Sequence, residues 1–320
     1  MPVIESAFQT EEWLRNGHVQ TVLAALRRVP FGRHWSEETL EVADGDFLTL
    51  EWWRTGSSRL AVLGHGMEGS SRSAYIRGLG RVLAGAGWDV VAWNLRGCGV
   101  RSNRGPGWYH SGQTEDLRAV LARVFKEGYA AVALVGFSLG GNLLLKYLGE
   151  GGVNPVVRAA VAVSAPLDLE ASAAALDGRW ANRLYLWNFM RSFRARISEK
   201  RRSFPAWFQG RPLRPRSIAE FDAWYTAPSH GFSSAKAYWR SCSASAFLSD
   251  IRTPTLLLSA RDDPFLTPES FPLRVADASQ YLWLEAPPNG GHVAFLNVSD
   301  GLRPWWEERV RAFLDAAFRA

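Results

Sequence analysis

Short apolar runs alternate with longer segments of mixed character along the first half of the chain. Leu60–Leu63, Trp88–Trp93, Ala131–Val135 and Arg158–Val163 are brief and rich in Val, Ala, Leu or Trp. Runs of that length and composition predict buried strands. Between them, Tyr75–Ala84 predicts a helix closed by Gly85 and Gly87, and Thr114, followed by Asp116, opens one that runs to about Glu127. Leu143–Leu148, with Lys146 and Tyr147 inside it, reads as another helix. Upstream, Thr39–Val42 and Phe47–Trp53 predict a hairpin, because Asp44-Gly45 between them is a strong turn signal. Glu11–Val29 has the apolar spacing of an amphipathic helix or helix pair.

The alternation breaks at about Pro166. From there to Asp250 no short Val/Ile run occurs; Leu184–Ile197, Ile218–Tyr225 and Ala235–Cys242 are helix-like, rich in Trp, Phe, Tyr and Arg, and punctuated by Pro205, Pro212, Pro215 and Pro228. Strand signals resume at Thr253–Ser259 and Gln280–Leu284, with a helix after Pro268 and an amphipathic helix over about Pro304–Phe318. The pattern predicts an α/β fold with a mostly parallel sheet flanked by helices. Residues 1–165 and 251–320 form the two parts of its core, and 166–250 form a helical cap. Some cap aromatics are expected to roof an apolar pocket and others to pack the cap onto the core.

Composition narrows the class. The 320 residues suit one large domain with an insertion. No run is long and apolar enough to cross a bilayer, and Met1–Thr10 lacks a signal peptide's basic start and apolar centre. Two cysteines, Cys98 and Cys242, are too few for a disulfide framework or a zinc site. A cytoplasmic location is therefore expected. The net charge of +6 is largely arginine, much of it between Arg179 and Arg216. It reads as a solvated basic face, with no nucleic-acid partner expected.

The candidate chemistry centres on Gly136-Phe137-Ser138-Leu139-Gly140, a G-x-S-x-G between a strand and a helix. Glycines at 136 and 140 relieve a sharp strand-to-helix turn, and the serine hydroxyl is left exposed. A serine is a weak nucleophile until a base accepts its proton and an acid orients that base. His292, behind Gly290-Gly291, and Asp262 or Asp263 follow Ser138 in the chain order Ser, Asp, His, each in a loop after a predicted strand. Such loops converge at the carboxyl edge of a parallel sheet. Asp263 is favoured because it directly precedes Pro264-Phe265; Asp262, the alternative acid, would then cap the turn or bond nearby backbone. The glycine-rich loop after Leu63 and the residue after the nucleophile assign the oxyanion-hole N–H groups to Met67 and Leu139. A phosphate loop is disfavoured, since no G-x-x-x-x-G-K-[ST] is present. Asn16-Gly17-His18-Val19-Gln20-Thr21 is polar within an apolar stretch. It predicts local hydrogen bonds that pin the N-terminal arm rather than a catalytic role for His18. His110, on a polar loop, is expected to make a structural hydrogen bond.

Seven segments together resemble the YheT-like branch of the α/β-hydrolases, which includes short abhydrolase-domain proteins and ethanol acyltransferases. They are Asn16–Thr21, His65–Ser70, Asn94–Cys98, Tyr109–Gly112, Gly136–Gly141, Asp262–Phe265 and Gly290–His292. The resemblance implies an α/β-hydrolase fold and a serine carboxylester hydrolase, with Ser138 as nucleophile, Asp263 as acid and His292 as base. Eukaryotic relatives carry an N-terminal membrane anchor that is not visible here. Ser259 departs from the asparagine often found there in relatives, which leaves the triad assignment untouched.

The expected partner is a small-molecule ester with a short- to medium-chain acyl group, and no metal or organic cofactor is implied. HExxH, paired CxxC and a dinucleotide fingerprint are all absent. An acyltransferase passing the acyl group to an alcohol would use the same residues. A non-catalytic binding protein on the same fold is the reading from a different class.

Overall fold

The structure is a computed structural model that describes residues 3–30, 32, 34–299 and 301–319. Its strands are β1 (Val3–Ile4), β2 (Trp35–Glu41), β3 (Phe47–Trp53), β4 (Arg59–Gly64), β5 (Asp89–Asn94), β6 (Ala131–Phe137), β7 (Val157–Val163), β8 (Thr255–Leu258) and β9 (Leu282–Glu285). The first helices are α1 (Gly17–Leu26), α2 (Ala74–Gly85), α3 (Thr114–Phe125) and α4 (Leu139–Gly149). Between β7 and β8 come α5 (Leu169–Gly178), α6 (Arg183–Ser203), α7 (Ile218–Phe221), α8 (Ala227–Ser229) and α9 (Ala235–Cys242), with no described strand among them. Finally come α10 (Leu273–Ala278) and α11 (Trp306–Ala317).

The strands form one sheet in the order β1-β9-β8-β7-β6-β4-β5-β3-β2. All pairings from β1 through β5 are parallel, and β3 and β2 are added antiparallel at one edge. Successive residues face opposite sides, as strand geometry requires. In β4, Leu60 and Val62 join one apolar cluster and Ala61 and Leu63 the other; in β6, Val132 and Leu134 oppose Ala133, Val135 and Phe137. Helices α3 and α4 cover the first face through Leu117, Val120, Leu121, Leu143 and Leu144. Helices α2 and α11 cover the second through Ile76, Leu79, Leu83, Trp306, Val310 and Leu314. Each such side chain contributes about 1.5–3 kcal/mol when fully buried.

Strand order reverses between β4 and β6, because β5 lies on one side of β4 and β6 on the other. Crevices of this kind, outside the carboxyl ends of parallel strands, collect ligands. The loops after β4 and β6 carry Met67 and Ser138, and those after β8 and β9 carry Asp263 and His292.

Several details depart from the sequence expectation. Strand β2 begins at Trp35, four residues before Thr39, because its outer positions are exposed and polar and lack the strand signature. Strand β1 is two residues long and pairs with β9, with Ile4 packed against the second apolar cluster. The helix expected over Ile218–Tyr225 becomes a π-helical turn at Asp222–Thr226. The arginines between 179 and 216 are not all solvated. Arg179 donates to the carbonyls of Pro264 and Leu266, Arg194 to Pro215, and Arg211 to Trp207 and Trp224. No described helix is long and apolar enough to cross a membrane.

Candidate active site

Ser138 sits between β6 and α4 with φ +51° and ψ −121°, a strained conformation for any residue with a Cβ. The turn holds because the residues two positions to either side are glycines. A Cβ at Gly136 would lie 2.4 Å from the Gly140 carbonyl oxygen, and one at Gly140 would lie 2.4 Å from that of His65. The Ser138 N–H is fixed to the Val163 carbonyl at 2.8 Å. Its hydroxyl makes no hydrogen bond among the described residues and lines a cavity of about 400 Å³.

His292 lines the same cavity. Its Nδ1 lies 2.7 Å from Asp263 Oδ2, with the Asp263 side chain wholly buried behind it. Asp262 faces elsewhere: Oδ1 accepts the Gly291 N–H at 2.9 Å and so shapes the loop that carries the histidine. Asp263 is therefore the carboxylate that meets His292. No hydrogen bond joins Ser138 to His292 among the described residues, although both side chains line the same cavity. The histidine loop is itself strained. Val293, a β-branched residue, has φ +54°, and its N–H is held by the Ser164 hydroxyl at 3.0 Å.

Met67 and Leu139 also line the cavity, and neither backbone N–H has a partner among the described residues. Gly66 lets this loop approach the serine, since a Cβ there would sit 3.0 Å from Ser138 Cβ. His65 anchors the loop from beneath. Its Nδ1 lies 2.8 Å from the Gly66 carbonyl, and its Nε2 accepts the Leu95 N–H at 3.1 Å, which fixes the neutral tautomer. Burial holds its pKa down at about 4, so it stays uncharged at neutral pH.

Segments distant in the chain hold the loops that carry His292 and Met67 in place. The Asn16–Thr21 segment pins the N-terminal arm, but onto the histidine loop and not merely onto itself. The Thr21 hydroxyl accepts the His292 N–H at 2.9 Å, Gln20 Oε1 accepts the Leu296 N–H at 2.7 Å, and Asn16 caps α1. Gly17 is required there, because a Cβ would lie 2.0 Å from the Asp262 carbonyl oxygen. His18 instead meets Tyr185, with Nδ1 3.2 Å from the phenol oxygen. His110 lines the cavity with its ring 4.4 Å from that of His230, its Nδ1 accepting the Gly112 N–H at 3.2 Å. Burial pushes its pKa well down.

A second support joins the loop that carries Met67 to α6. Glu68, at φ +56°, accepts from the Tyr109 hydroxyl at 2.9 Å and from Arg196 Nε at 2.9 Å, and is also bonded by Ser192. The Tyr109 oxygen in turn accepts the Glu68 N–H at 3.0 Å. Arg196 reaches the Gly97 carbonyl and, at 3.3 Å, the Cys98 sulfur, whose thiol burial pushes up to about 12. Both cysteines are buried and unpaired. Glu68→Gln keeps the shape but removes the charge opposite Arg196. With Met67 next in the chain, we expect kcat for a soluble ester to fall roughly tenfold with KM little changed, a fraction of what one lost oxyanion donor costs. Steady-state kinetics check this; an unchanged kcat would show that the pair does not position the loop.

The cavity walls are mainly aromatic. Phe265 packs on His292 at 4.3 Å between ring centroids, Tyr185 packs on Phe265 at 4.8 Å, and Phe193 stacks on Phe221 at 3.8 Å. One polar point is Asp222, which accepts from Thr226 at 2.7 Å and Trp239 at 2.8 Å; burial raises its pKa to about 6. No described cluster of His, Cys, Asp and Glu is arranged to hold a metal.

Residues 62–297 match the sequence profile of the alpha/beta hydrolase fold. The chain belongs to the alpha/beta hydrolase family. Within that hydrolase family it falls in the YheT-like branch: it is 37% identical to the Escherichia coli (strain K12) protein named "Putative esterase YheT", over 95% of this chain and 92% of the relative. It is 28% identical to the Saccharomyces cerevisiae monoacylglycerol lipase, over 80% of this chain and 58% of that one. Among solved structures, the Pyrococcus furiosus esterase Pf2001 shares the fold, with a TM-score of 0.61 at 19% identity, covering 91% of this chain and 98% of that one.

Proposed function

We propose that this carboxylic ester hydrolase works through an acyl-enzyme on Ser138, with His292 as base and Asp263 as its orienting acid. The observation that carries the reading is the His292–Asp263 hydrogen bond in the cavity that also exposes the strained serine. His292 Nε2 takes the hydroxyl proton as Ser138 Oγ attacks the ester carbonyl. The Met67 and Leu139 N–H groups receive the oxyanion. Losing one such donor lowers turnover roughly 10²–10³-fold. The imidazolium then protonates the leaving alkoxide, and Asp263 stabilises the charge. Water, deprotonated by the same imidazole, releases the carboxylic acid and restores the serine.

Residues 166–250 act as a cap in this reading, supported by the aromatic walls that α6 and α7 contribute to the cavity. Its size falls within the range of small-molecule sites, and its apolar lining suits short- to medium-chain acyl groups. A series of p-nitrophenyl esters of increasing chain length, with products analysed with and without added alcohol, tests the reading. Hydrolysis is expected to dominate and to favour short to medium chains. Alcoholysis that greatly outruns hydrolysis at low alcohol concentration would make the protein an acyltransferase instead.

A further inference from the structure

The outer faces of α1 and of the start of α6 carry large apolar side chains that the described residues leave partly or largely exposed. Trp180, just before α6, is 85% exposed, Leu184 63% and Trp187 59%. Their spacing, continued by exposed Arg191, keeps them on one helical face. On α1, Val19, Val22 and Leu26 are exposed at spacings of three and four, with Leu26 at 64%. The two helices adjoin where His18 meets Tyr185, with rings stacked at 5.8 Å. Their opposite faces are committed to the protein: Met190, Phe193 and Ile197 on α6, and Gln20 and Thr21 on α1.

We propose that this double ridge docks the protein on the surface of an anionic lipid bilayer. Its charge is one-sided. Arg28, Arg183 and Arg191 are exposed on or beside it, whereas neither residues 17–28 nor residues 180–198 contain an aspartate or glutamate. Arg191 also lies over the Trp187 ring at 5.6 Å. Tryptophan and leucine on one face with arginine at its border is the composition of an interfacial helix, which rests at the headgroup boundary without spanning. A second copy of the chain fits less well, because a two-fold contact on this ridge would set arginine against arginine with no acid between. The ridge also borders the cavity. Tyr185 and Phe189 of α6 and Thr21, Ala24 and Ala25 of α1 line it, and Ala25 is exposed. Docking would therefore bring the cavity wall to the lipid, where acyl esters are concentrated.

The test is flotation of the whole protein with vesicles of phosphatidylcholine, with and without phosphatidylglycerol. It needs no turnover and so stands apart from the acyl-enzyme reading. Wild type is expected to float with the phosphatidylglycerol vesicles and to be released by salt. Trp180→Ser with Trp187→Ser should weaken partitioning by roughly tenfold or more, and Arg183→Gln with Arg191→Gln should remove the preference for phosphatidylglycerol. Both variants should keep wild-type kcat/KM on a water-soluble ester, which also shows that they fold; Trp180→Ser alone serves if the double variant does not. Wild type that stays unbound, or a folded tryptophan variant that floats equally well, overturns the proposal. So does a wild-type dimer that the tryptophan variant breaks without any flotation, which would assign the ridge to a second copy.

Discussion

Replacing Ser138 by alanine is expected to lower kcat/KM for a p-nitrophenyl ester by about 10⁴- to 10⁶-fold, the range over which loss of a triad nucleophile acts. The residual rate would come from the proposed Met67 and Leu139 donors and from binding alone. Folding should be untouched. The Ser138 side chain makes no capping bond to α4 and no other hydrogen bond among the described residues, so its removal leaves no partner stranded. Alanine carries the same Cβ through the φ +51° turn, so the strain is unchanged. A melting temperature near that of wild type, measured with the rate, would separate loss of the nucleophile from loss of the structure. Activity within about tenfold of wild type would remove Ser138 from the mechanism.

The second large effect distinguishes two adjacent aspartates. Asp263→Asn should lower kcat by about 10⁴-fold, because an amide opposite Nδ1 favours the wrong imidazole tautomer and no longer balances the imidazolium charge. Asp262→Asn should lower it less than about tenfold, since an asparagine oxygen can still accept the Gly291 N–H that Asp262 now accepts at 2.9 Å. Kinetics of the two purified variants decide the matter. Equal losses would mean that the loop, not the carboxylate at 2.7 Å from His292, is what matters.

How much of this was legible in the sequence depends on the range of the forces involved. The core strands from β4 to β9 announce themselves as short apolar runs, because both faces of each are buried under helices. Strand β2 has one neighbour and an exposed face, so its Trp35-Ser36-Glu37-Glu38 opening carries no local pattern. Ser138 and its flanking glycines are legible because the turn constrains five consecutive residues. The preference for Asp263 over Asp262 could be placed in order, but the contact with His292 depends on where two distant loops meet. The Glu68–Arg196 pair joins residues far apart in the chain, and no neighbouring residue marks either as paired. The Asn16–Thr21 segment lies between these cases. Its polar residues in an apolar stretch signalled that something was being held, and only the fold shows that it is the His292 loop.

In the proposed mechanism the hydroxyl at 138 is made nucleophilic by the imidazole at 292. A fluorophosphonate probe on the intact protein, with the adduct mapped by peptide mass spectrometry, tests it most directly. The predicted result is a single adduct on the peptide containing Ser138, absent in Ser138→Ala and formed far more slowly in Asp263→Asn. An adduct on a different residue, or folded wild type that cleaves esters yet takes no label, would contradict the account.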